Sequence, residues 1–534
     1  MRTHPLGHTD QPVLRFTDSA GCRRWLESLP LTNVPQAQRQ LADQLAALDV
    51  ATAVPALERL RILEAMKEAV SYVQNEAAQA YAGKPLPLDD AEGDAWARTL
   101  GLWREFHRNY ESCRQAHRDG DLVVAPHAAL VTLRCLSCIA WIMLDHYRVY
   151  RQPGAQMWRE LNEAYLYAEQ HGYARIRVQD NFGQRDPDSS CAEVYVQALL
   201  IYLANPFSLS VRQNSFVRRW LEKWANLVSL AHQPLPASPI PPLVVDLATA
   251  SGVRFAAANE PASVRYLDLE QLSKTLRQTI NLLKQGQTPA QLGLGEDARQ
   301  PGCENLLMLL YVQWCRAGTA RTEERLLAEE KATVCFGITA AHYQASGGRP
   351  FRQPGEFTAR EKRDLDTFGY ISRVMHEAAQ PEEGGVESWL ILNHSASGFM
   401  CMSRQPDGSA RIAHNQLLAV RRESGKQFHL GMVQWVKVDE SGELQCGVRL
   451  FPGAPEAVAV RPSNFNPAGS SRYERALVLP EVPAPATPAT IVLPSGWFQS
   501  GRFVEIFAER KQVAKLLNLL EKGSDFDRGT ITIV

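Results

Sequence analysis

The chain has 534 residues, 45% of them hydrophobic and 22% charged, with a formal net charge of −1. That length accommodates roughly two to four domains, each with its own core. Near-neutral charge excludes a global field that would draw a nucleic acid polymer or an acidic membrane, so an anionic ligand has to be held by a local arginine cluster.

The N-terminus, Met1-Arg2-Thr3-His4-Pro5, lacks the apolar core of a signal peptide. The ten cysteines are scattered, and most lie in apolar runs, as reduced core cysteines do. Cys135-Leu136-Ser137-Cys138 has no second cysteine or histidine pair at zinc-ligand spacing and reads as core packing. A reducing cytoplasm is the expected compartment.

Residues 1–233 read as an α-helical domain, either a bundle or an irregular helical repeat. Apolar positions recur at helical spacing from Pro55 to Met66, with Pro at a helix start. Further helical runs are Asp94–His117, with Asp94 as N-cap, Ala128–Tyr150, Met157–Gln170, Ala192–Leu203 and Ser208–Ser229. The most apolar stretch, Ala128–Leu144, is too short for a membrane span and is interrupted by Arg134, so a buried helix is expected. Trp158, Tyr165 and Tyr167 read as knobs between helices.

His232 to Pro242 is proline-rich and reads as a linker and domain boundary. Residues 243–317 follow as a small mixed α/β segment, with strands at Leu243–Leu247 and Val264–Asp268 and helices at Leu269–Leu283 and Pro301–Cys315. Asp246 to Gly252 reads either as a plain strand-turn-strand or as a fragment of a degenerate barrel.

From Lys331 to Pro462 strand signals dominate. They fall at Thr333–Ala340, Trp389–Leu392, Phe399–Met402, Gln416–Arg421, His429–Val438 and Leu444–Phe451, and suit a small antiparallel barrel. A polar insertion at about 345–385, with several Gly and Pro, reads as a surface loop. The last segment, 471–534, is β-rich, with a proline-rich linker at Pro480–Pro488 and one amphipathic helix at Arg510–Glu521.

Two short elements carry chemistry. Arg321-Thr322-Glu323-Glu324-Arg325 places two arginines four residues apart ahead of the first strand. Asn393-His394-Ser395-Ala396-Ser397-Gly398 forms a polar corner between two apolar runs. Each alone has an ordinary reading: a helical surface with Glu partners for the arginines, a simple turn for the corner. Their order is more specific: Arg-x-x-x-Arg, then Asn-x-Ser-x-x-Gly, then the Gly-bearing strands Gly431-Met432-Val433-Gln434-Trp435 and Cys446-Gly447-Val448-Arg449-Leu450. In that order the segment resembles PilZ domains, β-barrel receptors for the bacterial second messenger cyclic di-GMP.

The resemblance implies an α+β multidomain chain whose residues 318–470 form a PilZ-like antiparallel β-barrel. It implies Arg321, Arg325, Asn393, Ser395 and Gly398 as the cyclic di-GMP-binding residues. The chemistry suits them, because a guanidinium fork fits phosphate oxygens or the guanine O6/N7 edge and its plane stacks on a base. The wide insertion departs from a compact PilZ domain and leaves the reach of the Arg arm open.

No His-Glu-x-x-His helix, metal-ligand cluster among the thirteen histidines, Gly-x-Ser-x-Gly or Walker loop is present, so the chain reads as non-enzymatic, with no metal and no cofactor. The expectation is a receptor that couples ligand binding to a protein partner on its helical half, in motility or biofilm machinery, as the resemblance implies. A scaffold whose PilZ-like barrel no longer binds nucleotide is the alternative. Self-association stays open.

Overall fold

We describe a computed structural model of the full chain, which covers residues 13–179, 188–236, 240–316, 325–354, 385–403, 411–463, 472–483, 487–508 and 510–534. The chain divides into two compact units: residues 1–84 with 88–320, and residues 85–87 with 321–534.

The first unit is built on α1 (Ser19–Glu27), α2 (Val34–Val50), α3 (Ala56–Ala78), α4 (Asp90–Arg118), α5 (Ala128–Arg148), α6 (Ala155–Gln170), α7 (Cys191–Leu203) and α8 (Val211–Trp224). Their starts are chemically marked. Asn33 caps α2, and capping boxes open α4 (Asp89 with Glu92), α7 (Ser190 with Glu193) and α8 (Ser210 with Gln213). The cap of α4 is thus Asp89, not Asp94, because only Asp89 has a glutamate three residues on to complete the box.

α5 is the core helix. It is not short: by length and composition Ala125–Arg148 could cross a membrane, but 72% of its most apolar window is buried within the protein. Arg134, fully buried, donates from Nε and Nη2 to the two oxygens of Glu64 at 2.8 and 3.0 Å. Burial alone would raise the Glu64 carboxyl, but the Arg134 hydrogen bonds and charge hold it down to about 2. Buried Asp145 accepts from Tyr81, Trp103 and Arg148 at 2.7–2.9 Å, so the two charged groups that α5 carries inward, Arg134 and Asp145, are both paired.

The short ribbon β1 (Val178–Gln179) and β2 (Asp188–Ser189) precedes α7. After α8 come β3 (Ser229–Ala231), β4 (Leu243–Asp246), β5 (Arg254–Phe255) and β6 (Val264–Asp268), then α9 (Glu270–Lys284) and α10 (Gly302–Cys315). These strands form a four-stranded sheet, ordered β3-β6-β4-β5. The proline-rich stretch does not end the first unit. Asn162 Nδ2 donates to the carbonyls of Thr249 and Ser251, Arg265 makes a bidentate pair with Glu169, and Trp314 Nε1 donates to the Leu200 carbonyl at 2.8 Å. These side chains weld the sheet and last two helices to the helical core.

The second unit holds two closed six-stranded antiparallel barrels. The first consists of β7 (Leu326–Phe336), β8 (Glu387–His394), β9 (Gly398–Ser403), β10 (Leu417–Arg422), β11 (His429–Val438) and β12 (Leu444–Leu450), ordered β10-β11-β12-β9-β8-β7. Trp389, Ile391, Phe399, Cys401, Val433 and Val448 are among its buried residues, and Cys401 and Cys446 face each other with Sγ atoms 3.3 Å apart. The second consists of β13 (Glu456–Pro462), β14 (Glu474–Leu479), β15 (Thr490–Pro494), β16 (Phe503–Phe507), β17 (Lys511–Lys522) and β18 (Phe526–Ile533). The C-terminal segment is therefore a complete barrel, and β13 belongs to it, pairing with β14 and β16.

Two expected elements change type. The strand at Thr333–Ala340 stops at Phe336, where Gly337 takes a φ of +82° and turns the chain into α11 (Gly337–Ala345). The helix at Arg510–Glu521 is strand β17. It pairs with β16 and β18, and Ala514 and Leu516, two residues apart, both point into the barrel core. α11 packs into an apolar layer shared by both barrels, with Leu417, Leu430 and Phe451 from the first and Leu477, Val492 and Phe526 from the second. Of the insertion at 345–385, residues 355–384 lie outside the described residues.

Asp525, in the turn between β17 and β18, reaches into the first barrel, where Leu417 N donates to its Oδ1 at 2.9 Å. Burial pushes its carboxyl up to about 6, against an ordinary Asp value of about 3.9. The folded state therefore binds a proton more tightly than the unfolded one. The stability this contributes is fully present below about pH 4 and is lost as pH rises through about 6. Asp525→Asn keeps an acceptor for Leu417 and removes the titration. Melting curves from pH 4 to 7 should show the parent losing stability relative to this variant, which should be at least as stable at pH 7. Parallel pH profiles would contradict the assignment.

Candidate ligand-binding face of the first barrel

Strand register fixes what the corner residues share. Asn393 on β8 pairs with Met400 on β9, Met400 with Gly447 on β12, and Gly447 with Trp435 on β11. On its other side Asn393 pairs with Leu327 of β7. Cross-strand partners point to the same face. Phe399 and Cys401, on either side of Met400, are buried, so this row lies on the outside of the barrel. Gly398 and Arg449 pair in a neighbouring row.

Arg325 enters this face directly. Its Nη1 donates to Asn393 Oδ1 at 2.9 Å across 68 residues of sequence. Residues from Leu326 onward are strand, so the arginine element leads into the barrel and does not continue as a helix at that point. Arg321 lies outside the described residues. Asn393 Nδ2 also donates to Met400 Sδ at 3.4 Å, which orients its amide. Beyond it the chain turns tightly: Ser395 N donates to the Gly398 carbonyl at 2.7 Å, and Leu450 N donates to the Ser397 carbonyl at 2.8 Å. Ser395 is half-buried, with its hydroxyl 3.5 Å from the Gly398 carbonyl. His394 ends β8, paired with Leu326 and Phe399.

Gly398 is required by close approach. A Cβ there would collide with the Val448 carbonyl oxygen. Gly447 meets the same constraint farther along β12, where the five-membered ring of the Trp435 indole covers the position a Cβ would take. Trp435, Met400 and Arg449 were not among the residues expected at the site. Trp435 and Arg449 stand in strands quoted for the family pattern, but only register shows that they lie beside Asn393 and Gly398. Arg449 is 40% exposed and its Nη2 donates to Glu521 Oε1 of β17 at 2.9 Å. Leu326 and Leu327, 56% and 92% exposed, follow Arg325 on the same arm.

The face thus combines guanidinium groups, an amide, a hydroxyl, an aromatic ring and exposed apolar side chains. This combination can bind an anionic molecule with planar bases.

If Gly398 serves close approach, Gly398→Ala should force β9 from β12 and destabilise the chain by about 1–3 kcal/mol, as overpacking does. Urea unfolding followed by the Trp fluorescence of the barrel is the check. A variant as stable as the parent would show that the strands can separate freely there.

Comparisons with known proteins agree with this architecture. Three family models match in sequence order. They are described as the N-terminal domain of the cyclic-di-GMP receptor FimW over residues 20–236, the middle PilZ domain of that receptor over 246–373, and the FimW C-terminal beta-barrel domain over 458–533. The middle match takes in the four-stranded sheet from the end of β4 on, Arg321, Arg325, β7 and α11, and stops before the Asn393–Gly398 corner. The boundary between the first and second matches falls at the proline-rich stretch. A curated relative from Pseudomonas aeruginosa, named cyclic-di-GMP receptor FimW, is 24% identical over 561 residues, covering 95% of this chain and 89% of that protein. The ordered motifs and the three consecutive matches together support placing this chain with the PilZ-domain cyclic-di-GMP receptors.

Proposed function

We propose that this chain is a receptor for cyclic di-GMP. In this reading it binds the nucleotide on the outer face of the first barrel, through Arg321, Arg325, Asn393, Ser395 and Gly398, and passes the signal to a protein partner on the helical unit. The reading rests above all on the Arg325–Asn393 hydrogen bond, which joins the arginine arm to the polar corner. The name of the Pseudomonas relative supports the same ligand.

The chemistry follows from the side chains. The arginine forks bind phosphate oxygens or the guanine O6/N7 edge. Asn393 exchanges its bond with Arg325 for bonds to the ligand, since an amide both donates and accepts. Gly398 lets the ligand approach the backbone, and Trp435 offers a ring on which a base can stack. Ligand binding and the exchange of the Arg325–Asn393 bond are thermodynamically linked, so a nucleotide that favours the exchanged state shifts the population towards it.

Isothermal titration of the full chain with cyclic di-GMP tests the reading. Binding is expected, and Arg325→Ala and Ser395→Ala should each weaken it by about 1.5–3 kcal/mol, the cost of one charge-assisted contact. A folded parent that releases no heat, or variants that titrate like the parent, would favour a scaffold whose barrel no longer takes nucleotide. For the partner, crosslinking of the full chain with and without cyclic di-GMP should map captured protein onto residues 13–316. Crosslinks confined to the barrels would move the effector surface there.

A further inference from the structure

Sequence spacing offers no metal motif, yet folding gathers one. His107 and Glu111 stand one turn apart on α4, and Cys135 comes from the adjoining α5. One ligand atom from each lies within 4.8 Å of the others. Cys135 is fully buried, and His107 and Glu111 are half-buried. We propose that His107, Glu111 and Cys135 form a site for a divalent cation of the zinc class, clamping α4 to α5.

The donor set is the argument. An imidazole nitrogen, a carboxylate oxygen and a thiolate sulfur are the three side-chain ligand types of protein zinc sites, and three such ligands leave a fourth position for water. The i, i+4 spacing sets His107 and Glu111 on one face of α4. Desolvation holds the His107 pKa below the ordinary histidine range, with Glu111 and Glu160 opposing it and Arg104 and Arg114 assisting. Burial raises the Cys135 thiol well above its ordinary value, so the cation has to displace that proton, as metal binding to thiols generally does.

One competitor is in place. Arg114 donates from Nε and Nη2 to the two oxygens of Glu111 at 2.8 and 2.7 Å. An ionised carboxylate offers about four lone-pair sites, so this bidentate pair leaves acceptor capacity for a cation. Charge also permits it. Once the thiol has given up its proton to the cation, thiolate, Glu111 and the nearby Glu160 outweigh Arg104 and Arg114, so the bound divalent charge is offset.

The test is a cobalt titration of the full chain after chelator treatment, cobalt serving as the coloured stand-in for zinc. One equivalent is expected to produce a near-ultraviolet thiolate-to-cobalt band that added zinc abolishes. Cys135→Ser should remove that band. His107→Gln, at a half-buried position where folding tolerates the change better, should weaken cobalt binding by more than the roughly tenfold to hundredfold seen when a residue supporting a ligand is lost. A folded parent without the thiolate band would overturn the proposal. So would a band that persists in both variants, since another cysteine would then be the ligand.

Discussion

The candidate ligand face depends on one close approach. At Gly398 the backbones of β9 and β12 lie nearer than any side chain permits. That contact fixes the height of the corner, because Ser395 N and Leu450 N are bonded to the carbonyls on either side of it. With the corner set, Asn393 is held at the end of β8 where Arg325 can reach it. The residues of the family pattern therefore divide by role. Gly398 shapes the surface on which the others stand. Arg325, Asn393 and Ser395 present the polar groups of the proposed binding face.

Most of the barrel was legible in the sequence because alternating burial leaves a two-residue period. The strand expected at His429–Val438 has both ends right, since its apolar residues and the flanking polar turns agree. The fold class was legible too, from helical spacing before the proline-rich stretch and alternation after it. What failed did so for physical reasons. In β17 the sequence Val513-Ala514-Lys515-Leu516-Leu517-Asn518-Leu519-Leu520 fits helical spacing as well as strand spacing. Two irregularities in its pairing with β18 break the period that would have decided the matter. β13 escaped notice because a short Ala-Val run between prolines carries little signal until its partners are known. The proline-rich stretch separates the first two family matches, while Asn162 and Arg265 bond across it, and no local pattern reports such long-range bonds.

The candidate site was legible where it is local and invisible where it is not. The corner is six consecutive residues, so its chemistry could be read directly. Trp435 and Arg449 join it only through pairing register, which a one-residue slip would have reversed. The His107, Glu111 and Cys135 cluster shows the same limit: its members come from two helices and meet because α4 packs on α5.

The corner is also continuous with the second barrel. Arg449, beside Gly398, reaches Glu521, whose other oxygen accepts from Arg528 Nη1 at 2.9 Å, and Arg528 Nε donates to Thr490 at 3.2 Å. Phe451, two residues beyond Arg449, carries the Arg528 guanidinium 4.4 Å above its ring and packs against Phe526. The members of this network are not equivalent. Arg528 is 4% exposed and Arg449 is 40% exposed. Without Glu521, Arg528 would keep a buried charge with its carboxylate partner gone, which is costly. Without Arg449, Glu521 still has Arg528, and the lost surface pair is worth little. Arg449 is therefore the member that can leave the network cheaply, and it is the one that stands beside the candidate ligand face. Arg449 also lies 5.7 Å from the Phe451 ring, so this exposed arginine touches both the candidate face and a residue of the apolar layer that the two barrels share.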